Sequence, residues 1–167
     1  MFDFRHKYTE LIYREISRMV TFSYVAEDLG SQRSLLFSPS LIHEFFIPRM
    51  RRMIDLAHRH SVYVFFHSDG AIREVLPDMI EAGINLLNPI QWRCAGMERE
   101  ALNRDFGGAV VFHGGMDNQQ TLPFGTPEEV RREVGENLDL LGGGQGYILA
   151  PCHNIQPLTP VENILAM

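Results

Sequence analysis

Five short apolar stretches, separated by segments with helical patterning, constrain the fold of this chain more than any other feature. Each stretch is a continuous apolar run rather than an alternation of apolar and polar residues. Such runs are typical of strands buried on both faces, as in a parallel sheet. The stretches are Val20–Ala26, Val62–Phe66, Ile84–Leu87, Ala109–Phe112 and Tyr147–Ala150.

Helix signals fill the segments between these stretches. Ser38 followed by Pro39 is an N-cap with proline at the first helical position. Thr126 and Glu129 form a capping box, which predicts a helix to about Leu141. Further helices are predicted over Asp3–Met19, Arg73–Ala82 and Glu98–Phe106. Strand and helix therefore alternate, which predicts an α/β fold with right-handed parallel crossovers.

A second capping box, Thr159 with Glu162, lies only a few residues before the last residue, Met167. A helix that begins with a capping box but has fewer than three turns before the sequence ends is shorter than such a start predicts. We therefore expect residues 1–167 to form one domain whose fold continues beyond this sequence.

Composition excludes several classes of protein. The chain of 167 residues has a formal net charge of −6, so a basic nucleic-acid surface is not expected. No apolar run approaches the ~20 residues that span a bilayer, so a membrane partner is not expected either. Its two cysteines, Cys94 and Cys152, do not make a disulfide framework, which favours a cytoplasmic location.

Polar side chains follow every predicted strand, at the ends where parallel α/β proteins carry their active sites. The opposite ends carry mostly glycine and charged surface residues. This asymmetry indicates an enzyme. The segments that follow the strands are Glu27–Gly30, His67–Gly70, Asn88–Gln91, His113–Asp117 and Pro151–Asn154.

The most specific functional hypothesis that these strand-end residues support is a metal site. His67 and Asp69 form a His-x-Asp pair, and His153, with Cys152 as the alternative, would complete a three-ligand set that leaves one position open. That arrangement is typical of catalytic zinc. The alternative is that the histidines are hydrogen-bonded pocket residues without a metal.

Other strand-end residues have more than one interpretation each. Asp28 is a candidate general acid or base, and it could instead orient a ligand histidine. The alternative is that its carboxylate caps the loop that follows. Asp117 and Asn118, with Gln91, are candidate substrate-binding residues, and the first two also suit an Asx turn.

In these segments the sequence resembles the superfamily of uroporphyrinogen decarboxylases and corrinoid-dependent methyltransferases. The resemblance runs from about Glu27 to Met167, and the order and spacing of its pieces make it specific. The pieces are Glu27–Gly30, Leu36–Pro39, Phe65–Gly70, Gly83–Gln91, Gly114–Asp117, Phe124–Val130, Ala150–Ile155 and Thr159–Ile164.

The resemblance implies a (β/α)₈ barrel about twice this length, with its first βα units absent here. Decarboxylases of this type act on a tetrapyrrole without metal or organic cofactor, and their strand-end histidine corresponds to His153. The methyltransferase branch binds zinc through a His-x-Cys pair and a later cysteine, and activates a thiol for methyl transfer from a corrinoid. His67 matches the first ligand, Asp69 stands in place of the pair's cysteine, and His153 in place of the later one.

We therefore expect a partial (β/α)₈ barrel with metal-assisted methyl transfer, from a corrinoid or other methyl donor to a thiol, as the favoured chemistry. Asp28 and His153 are the expected catalytic residues, and a corrinoid protein is a candidate partner. The first alternative is cofactor-free decarboxylation of a tetrapyrrole, and the second is a non-catalytic barrel fragment. Because an open barrel leaves two unpaired sheet edges, we also expect a homodimer.

Overall fold

The computed structural model describes all 167 residues. The strands are β1 (Phe22–Ala26), β2 (Tyr63–His67), β3 (Leu86–Asn88), β4 (Val111–Met116) and β5 (Tyr147–Pro151). The helices are α1 (Phe2–Ile16), α2 (Pro39–Leu41), α3 (Ile47–Arg59), α4 (Leu76–Ala82), α5 (Arg99–Phe106), α6 (Thr121–Phe124), α7 (Pro127–Leu141) and α8 (Val161–Ala166). The helices include none long and apolar enough to cross a membrane.

The five strands form one parallel sheet in the order β1-β2-β3-β4-β5. Each strand thus lies beside the next strand in the sequence, as in the wall of a (β/α)₈ barrel. The predicted α/β repeat and partial barrel are confirmed.

One face of the sheet carries the core. Helices α3 and α7 pack directly on the sheet, α1 and α4 pack on α3, and α5 packs on α7. The main cluster contains 26 buried hydrophobic residues. Alternate strand residues point into it, and these are Val25, Val64, Phe66, Leu87 and Phe112.

The opposite face, which is the inner wall of the barrel, is exposed at β1 and at the start of β2. Phe22, Tyr24 and Tyr63 lie on it in adjacent register and are 50%, 53% and 58% exposed. In a closed barrel such side chains pack in layers against those of the other strands. The face of the sheet that is covered by helices therefore has a complete buried core, whereas the inner wall exposes aromatic side chains to solvent.

Strand β4 runs four residues beyond its predicted end at Phe112. Gly114 and Gly115 have φ values of +111° and +87°, which only glycine adopts readily. A Cβ atom on Gly115 would lie 2.6 Å from the hydroxyl oxygen of Tyr147. The two glycines thus let β4 stay paired with β5 while the Tyr147 hydroxyl donates a hydrogen bond to the Gly114 carbonyl at 2.6 Å.

Two of the predicted helix starts are confirmed and one is wrong. The Ser38 hydroxyl accepts from Leu41 N–H, and Thr126 and Glu129 make the reciprocal capping box of α7. Thr159 caps nothing, because Pro160 takes an extended conformation and is itself the N-cap of α8. The Thr159 hydroxyl is buried without a hydrogen-bond partner.

The other helices also depart in detail from prediction. The predicted Asp3–Met19 helix is α1 followed by a 3₁₀ turn at Ser17–Met19. A π-helical turn, Ile42–Phe46, joins α2 to α3. A 3₁₀ turn at Arg73–Val75 precedes α4.

Candidate metal centre and active site

Three of the predicted site residues meet at the carboxyl ends of β1 and β2. The ligand atoms of Asp28, His67 and Asp69 all lie within 4.8 Å of one another. The register explains the meeting: Ala26 pairs with His67, so Asp28 and Asp69 each lie two residues further along adjacent parallel strands. The Nε2 atom of His67 is 3.5 Å from Oδ1 of Asp28. The backbone N–H of Asp69 donates to the same oxygen at 3.4 Å.

The orientation of His67 is set from the other side of its ring. Its Nδ1 lies 2.6 Å from Oδ1 of Asn88, and Nδ2 of Asn88 lies 2.8 Å from Nδ1 of His113. An amide oxygen only accepts, so neutral His67 carries its proton on Nδ1. The lone pair on Nε2 then faces the two carboxylates, which is the arrangement found in histidines that bind metals.

His113 lies at the far end of this chain of hydrogen bonds, in surroundings that disfavour its charged form. Burial lowers the pKa of the His113 imidazole. Its Nδ1 accepts from the Asn88 amide, which a protonated ring would not allow. The side chains of His67, Asn88 and His113 thus form one hydrogen-bonded row across β2, β3 and β4.

The electrostatics of the site favour a cation. The pKa of the Asp69 carboxyl is raised, chiefly by burial. His67 and His153 lower this pKa in part, and the negative charge of Asp28 raises it further. No Lys or Arg forms an ion pair with Asp28 or Asp69. The His67 side chain is 17% exposed and that of Asp28 is 63% exposed, so the cluster is open toward solvent on the Asp28 side.

The predicted ligand set needs one correction. Asp28, assigned a catalytic role, takes the third place beside His67 and Asp69, and His153 lies outside the group. The reason is the strand order, because β1 is the neighbour of β2 while β5 lies three strands away. His153 is exposed and lines cavities on both sides of the site, near enough to Asp69 to affect its pKa.

The alternative ligand Cys152 is also misplaced. Cys152 is 4% exposed, and its thiol donates to the carbonyl of Ile90 at 3.2 Å, beneath the loop after β3. Burial raises the pKa of the Cys152 thiol to about 12. The Cys152 thiol thus joins two loops, and it lies outside the group formed by Asp28, His67 and Asp69.

Two cavities adjoin the cluster. One of about 500 Å³ lies over the inner wall and is lined by Tyr24, His67, Asn88 and His113, among others. The other, of about 910 Å³, lies at the mouth of the barrel and is lined by Asp69, Gln91, Asn118 and His153, among others. We call these the wall cavity and the mouth cavity. Both fall in the size range of small-molecule sites.

Residues 25–167 match the family model described as uroporphyrinogen decarboxylase (URO-D). The chain belongs to the URO-D family. It is 29% identical to the uroporphyrinogen decarboxylase of Geotalea daltonii over 133 residues, which are 79% of this chain and 37% of that relative. The Legionella pneumophila enzyme of the same name is 34% identical over 132 residues, which are 72% of this chain and 35% of the relative.

A solved structure has the same fold as this URO-D family chain. A methyltransferase from Methanosarcina mazei superposes with a TM-score of 0.66 at 24% sequence identity, covering 86% of this chain and 39% of that one. The chain thus spans little more than a third of the length of the proteins that it matches.

The predicted substrate-binding residues of this URO-D family chain separate into two groups. Gln91 and Asn118 line the mouth cavity, where the side-chain oxygen of Gln91 accepts the Gly70 N–H at 2.9 Å. Asp117 is 4% exposed and does not line the cavity. Its carboxylate accepts from Arg93 Nε at 2.5 Å and from the backbone N–H groups of Gln119 and Thr121. Asp117 is therefore a loop-holding residue, as its Asx-turn interpretation predicted.

One contributor to the site, Glu133, was not predicted. It is 6% exposed on α7 and accepts the backbone N–H of Asp117 at 2.6 Å and the hydroxyl of Thr121 at 2.5 Å. Burial raises the pKa of its carboxyl. The available signal was its position between Val130 and Asn137 on the buried face of α7, where a solvated glutamate is not expected.

Proposed function

We propose that Asp28, His67 and Asp69 bind a divalent metal, with zinc favoured, and that this site serves methyl transfer from a corrinoid or other methyl donor to a thiol. The observation that carries the proposal is the convergence of three ligand atoms within 4.8 Å. The orientation of His67 by Asn88 adds support, because it leaves Nε2 free to bind. The structural neighbour from Methanosarcina mazei is a methyltransferase, which also favours this chemistry.

The residues fit a catalytic zinc ion. One imidazole and two carboxylates are ordinary zinc ligands, and three protein ligands leave a position open for a substrate atom. Two unpaired carboxylates at one point also repel each other, and a cation would relieve that repulsion. When bound, zinc would lower the pKa of a coordinated thiol and hold it as the thiolate.

The chain's own residues take the remaining roles. Asn88 keeps the His67 proton on Nδ1 through their 2.6 Å hydrogen bond. The exposed imidazole of His153 lies where the wall and mouth cavities meet, and it accepts the proton that the thiol releases. Gln91 and Asn118 contact the substrate in the mouth cavity.

The second candidate function is cofactor-free decarboxylation of a tetrapyrrole, in which Asp28 and His153 act without a metal. The observation that favours it is the similarity to several uroporphyrinogen decarboxylases, all at about the same identity. A third candidate is a non-catalytic part of a barrel, since the chain matches 37% of its relative's length.

A chelation experiment separates these candidates. Purified protein is assayed for loss of the methylcobalamin absorbance in the presence of a thiol, and separately for carboxyl loss from uroporphyrinogen, before and after removal of metal. Methyl transfer that chelation abolishes and zinc restores supports the proposal. Decarboxylation that survives chelation supports the second candidate, and the absence of both activities supports the third.

A further inference from the structure

The row formed by His67, Asn88 and His113 lies on the inner wall of the sheet, at one level across three strands. His67 pairs with Asn88 in the register of β2 and β3. His113 directly follows Phe112, which pairs with Leu87 in the register of β3 and β4. Successive side chains of a strand point to opposite faces. Each member of the row follows a fully buried core residue, so each points away from the helices and lines the wall cavity.

Aromatic neighbours hold the two imidazole rings at the ends of this row. The ring of Phe65 contacts that of His113 edge-on, with 4.9 Å between the ring centroids. The ring of Tyr24 packs against that of His67, with 5.4 Å between the centroids. Asn88, which lies between the two histidines, is 8% exposed. The three side chains are therefore held in the row, and the groups that can still exchange places are the oxygen and the nitrogen of the Asn88 carboxamide.

The Asn88 carboxamide can join the two neutral rings in only two ways. Its oxygen accepts and its nitrogen donates, and a neutral imidazole carries its proton on one nitrogen at a time. In the structure the oxygen lies 2.6 Å from Nδ1 of His67, and the nitrogen lies 2.8 Å from Nδ1 of His113. His67 is then protonated on Nδ1 and His113 on Nε2. A half-turn of the carboxamide reverses both, so that His67 carries its proton on Nε2 and His113 on Nδ1.

Only the first of these arrangements suits a metal ligand. It leaves the lone pair of His67 Nε2 free, 3.5 Å from Oδ1 of Asp28. In the second arrangement a proton occupies Nε2 and can be donated to the Asp28 carboxylate, and such charge-assisted hydrogen bonds are strong. Without metal, Asp28 thus favours the tautomer of His67 that cannot bind. The acceptor that His113 offers to the Asn88 amide opposes this preference.

We infer that His113 is a positioning residue that sets the tautomer of His67 through the carboxamide of Asn88. Burial lowers the pKa of the His113 imidazole, so the lone pair on its Nδ1 stays available to the Asn88 amide. This inference deepens the proposed function. The coupling of the two tautomers is a property of the metal-free chain, and its consequence for zinc binding rests on the proposed function.

The histidine tautomers of metal-free protein test the inference. Protein labelled with ¹⁵N-histidine is measured by long-range ¹H–¹⁵N NMR at about pH 8.5, where an ordinary imidazole is neutral. We expect mainly the Nδ1–H tautomer of His67 in the wild type, and mainly the Nε2–H tautomer in His113→Leu, which has no acceptor. His113→Gln retains an acceptor oxygen for the Asn88 amide and should restore the Nδ1–H form.

A double-mutant cycle on zinc affinity shows whether the effect passes through Asn88. Apparent affinity falls with the fraction of protein in the binding-competent form, so a fall of the Nδ1–H population to about a tenth in His113→Leu weakens zinc binding about tenfold. His113→Gln should remain within about threefold of the wild type. Asn88→Asp offers only acceptors and holds the His67 proton on Nδ1 whatever residue occupies position 113. In that background His113→Leu should change the affinity by no more than about twofold.

His58→Leu is the control, because His58 contacts Asn85 just before β3, at the opposite end of the sheet. It should leave the His67 tautomer unchanged. The inference is overturned if Nε2–H already dominates in the wild type, if folded His113→Leu keeps the wild-type tautomer, or if His58→Leu shifts it equally. An undiminished effect of His113→Leu in Asn88→Asp protein also overturns it.

The two measurements separate this inference from the proposed function. Coupled tautomers in a protein that never binds metal would leave the inference standing and remove the metal site. Zinc binding by a protein whose His67 tautomer does not respond to His113 would leave the metal site standing and overturn the inference.

Discussion

Asn88 and His67 are joined by a 2.6 Å hydrogen bond from Nδ1 of the imidazole to Oδ1 of the amide. Removing a partner that orients a metal-binding histidine lowers metal affinity by about 10- to 100-fold. We predict a loss of this size for Asn88→Ala, measured by competition with a chromophoric chelator. Asn88→Asp keeps an acceptor for Nδ1 and should retain more affinity than Asn88→Ala.

His43→Ala is the control for this series, because His43 is an exposed histidine paired with Asp78 on the helical side. It should bind metal as the wild type does. Identical affinities in the wild type and Asn88→Ala would show that the amide does not orient a ligand.

The two cysteines should be inert in the folded protein. Burial raises the pKa of Cys94 to about 11 and that of Cys152 to about 12. At pH 8 at most about 0.1% of either thiol is then ionised, and only the thiolate reacts. We expect no alkylation by iodoacetamide within an hour by mass spectrometry, and full alkylation of both in guanidinium. Rapid labelling of Cys152 in the folded state would reopen its role as a ligand.

Glu133 should contribute strongly to stability although it lies outside the cluster. Glu133→Ala removes the acceptors of the Asp117 N–H and the Thr121 hydroxyl. Each buried donor left unsatisfied costs about 1–3 kcal/mol, so we expect a loss of roughly 2–4 kcal/mol in urea unfolding.

Glu128→Ala on the same helix is the comparison for Glu133→Ala. Glu128 is 78% exposed and makes one exposed ion pair, to Arg131. Such pairs contribute about 0–1 kcal/mol, so this variant should be nearly as stable as the wild type. Equal stability of the two variants would contradict the role of Glu133 in holding the segment after β4 that contains Asp117 and Thr121.

The open inner wall should make the chain self-associate. Phe22, Tyr24 and Tyr63 form an exposed aromatic surface beside an unpaired strand edge. We predict a dimer in multi-angle light scattering, and a shift to monomer in Tyr63→Lys. Leu138→Lys, at an equally exposed apolar position on α7, should remain dimeric. A monodisperse, cooperatively folding wild-type monomer would contradict the prediction.

The strands and the ends that carry function were predictable because periodicity and turn residues are local properties. Continuous apolar runs identified all five strands, and polar residues after them marked Asp28, His67 and Asp69. Which of these side chains meet depends on strand order and register, which are properties of the whole sheet. That is why Asp28, and not His153, completes the cluster.

Burial was the other property that the sequence pattern did not determine. Asp117 follows β4 just as Asp69 follows β2, yet Asp117 points into the loop and binds Arg93. The same holds for Cys152, whose thiol lies under the carbonyl of Ile90 instead of facing the site. Side-chain direction after a strand is set by the loop that follows, and the loop's partners lie far away in the sequence.

Metal analysis tests the central claim most directly. The protein is loaded with zinc, dialysed against metal-free buffer and analysed by plasma mass spectrometry, with manganese and iron measured alongside. We predict about one zinc ion per wild-type chain, and little or none in His67→Ala, Asp28→Asn and Asp69→Asn, each checked for native folding by circular dichroism. His153→Ala should retain the metal, since His153 lies outside the ligand cluster. Wild-type protein without bound metal, or folded His67→Ala with an undiminished zinc content, would contradict the account.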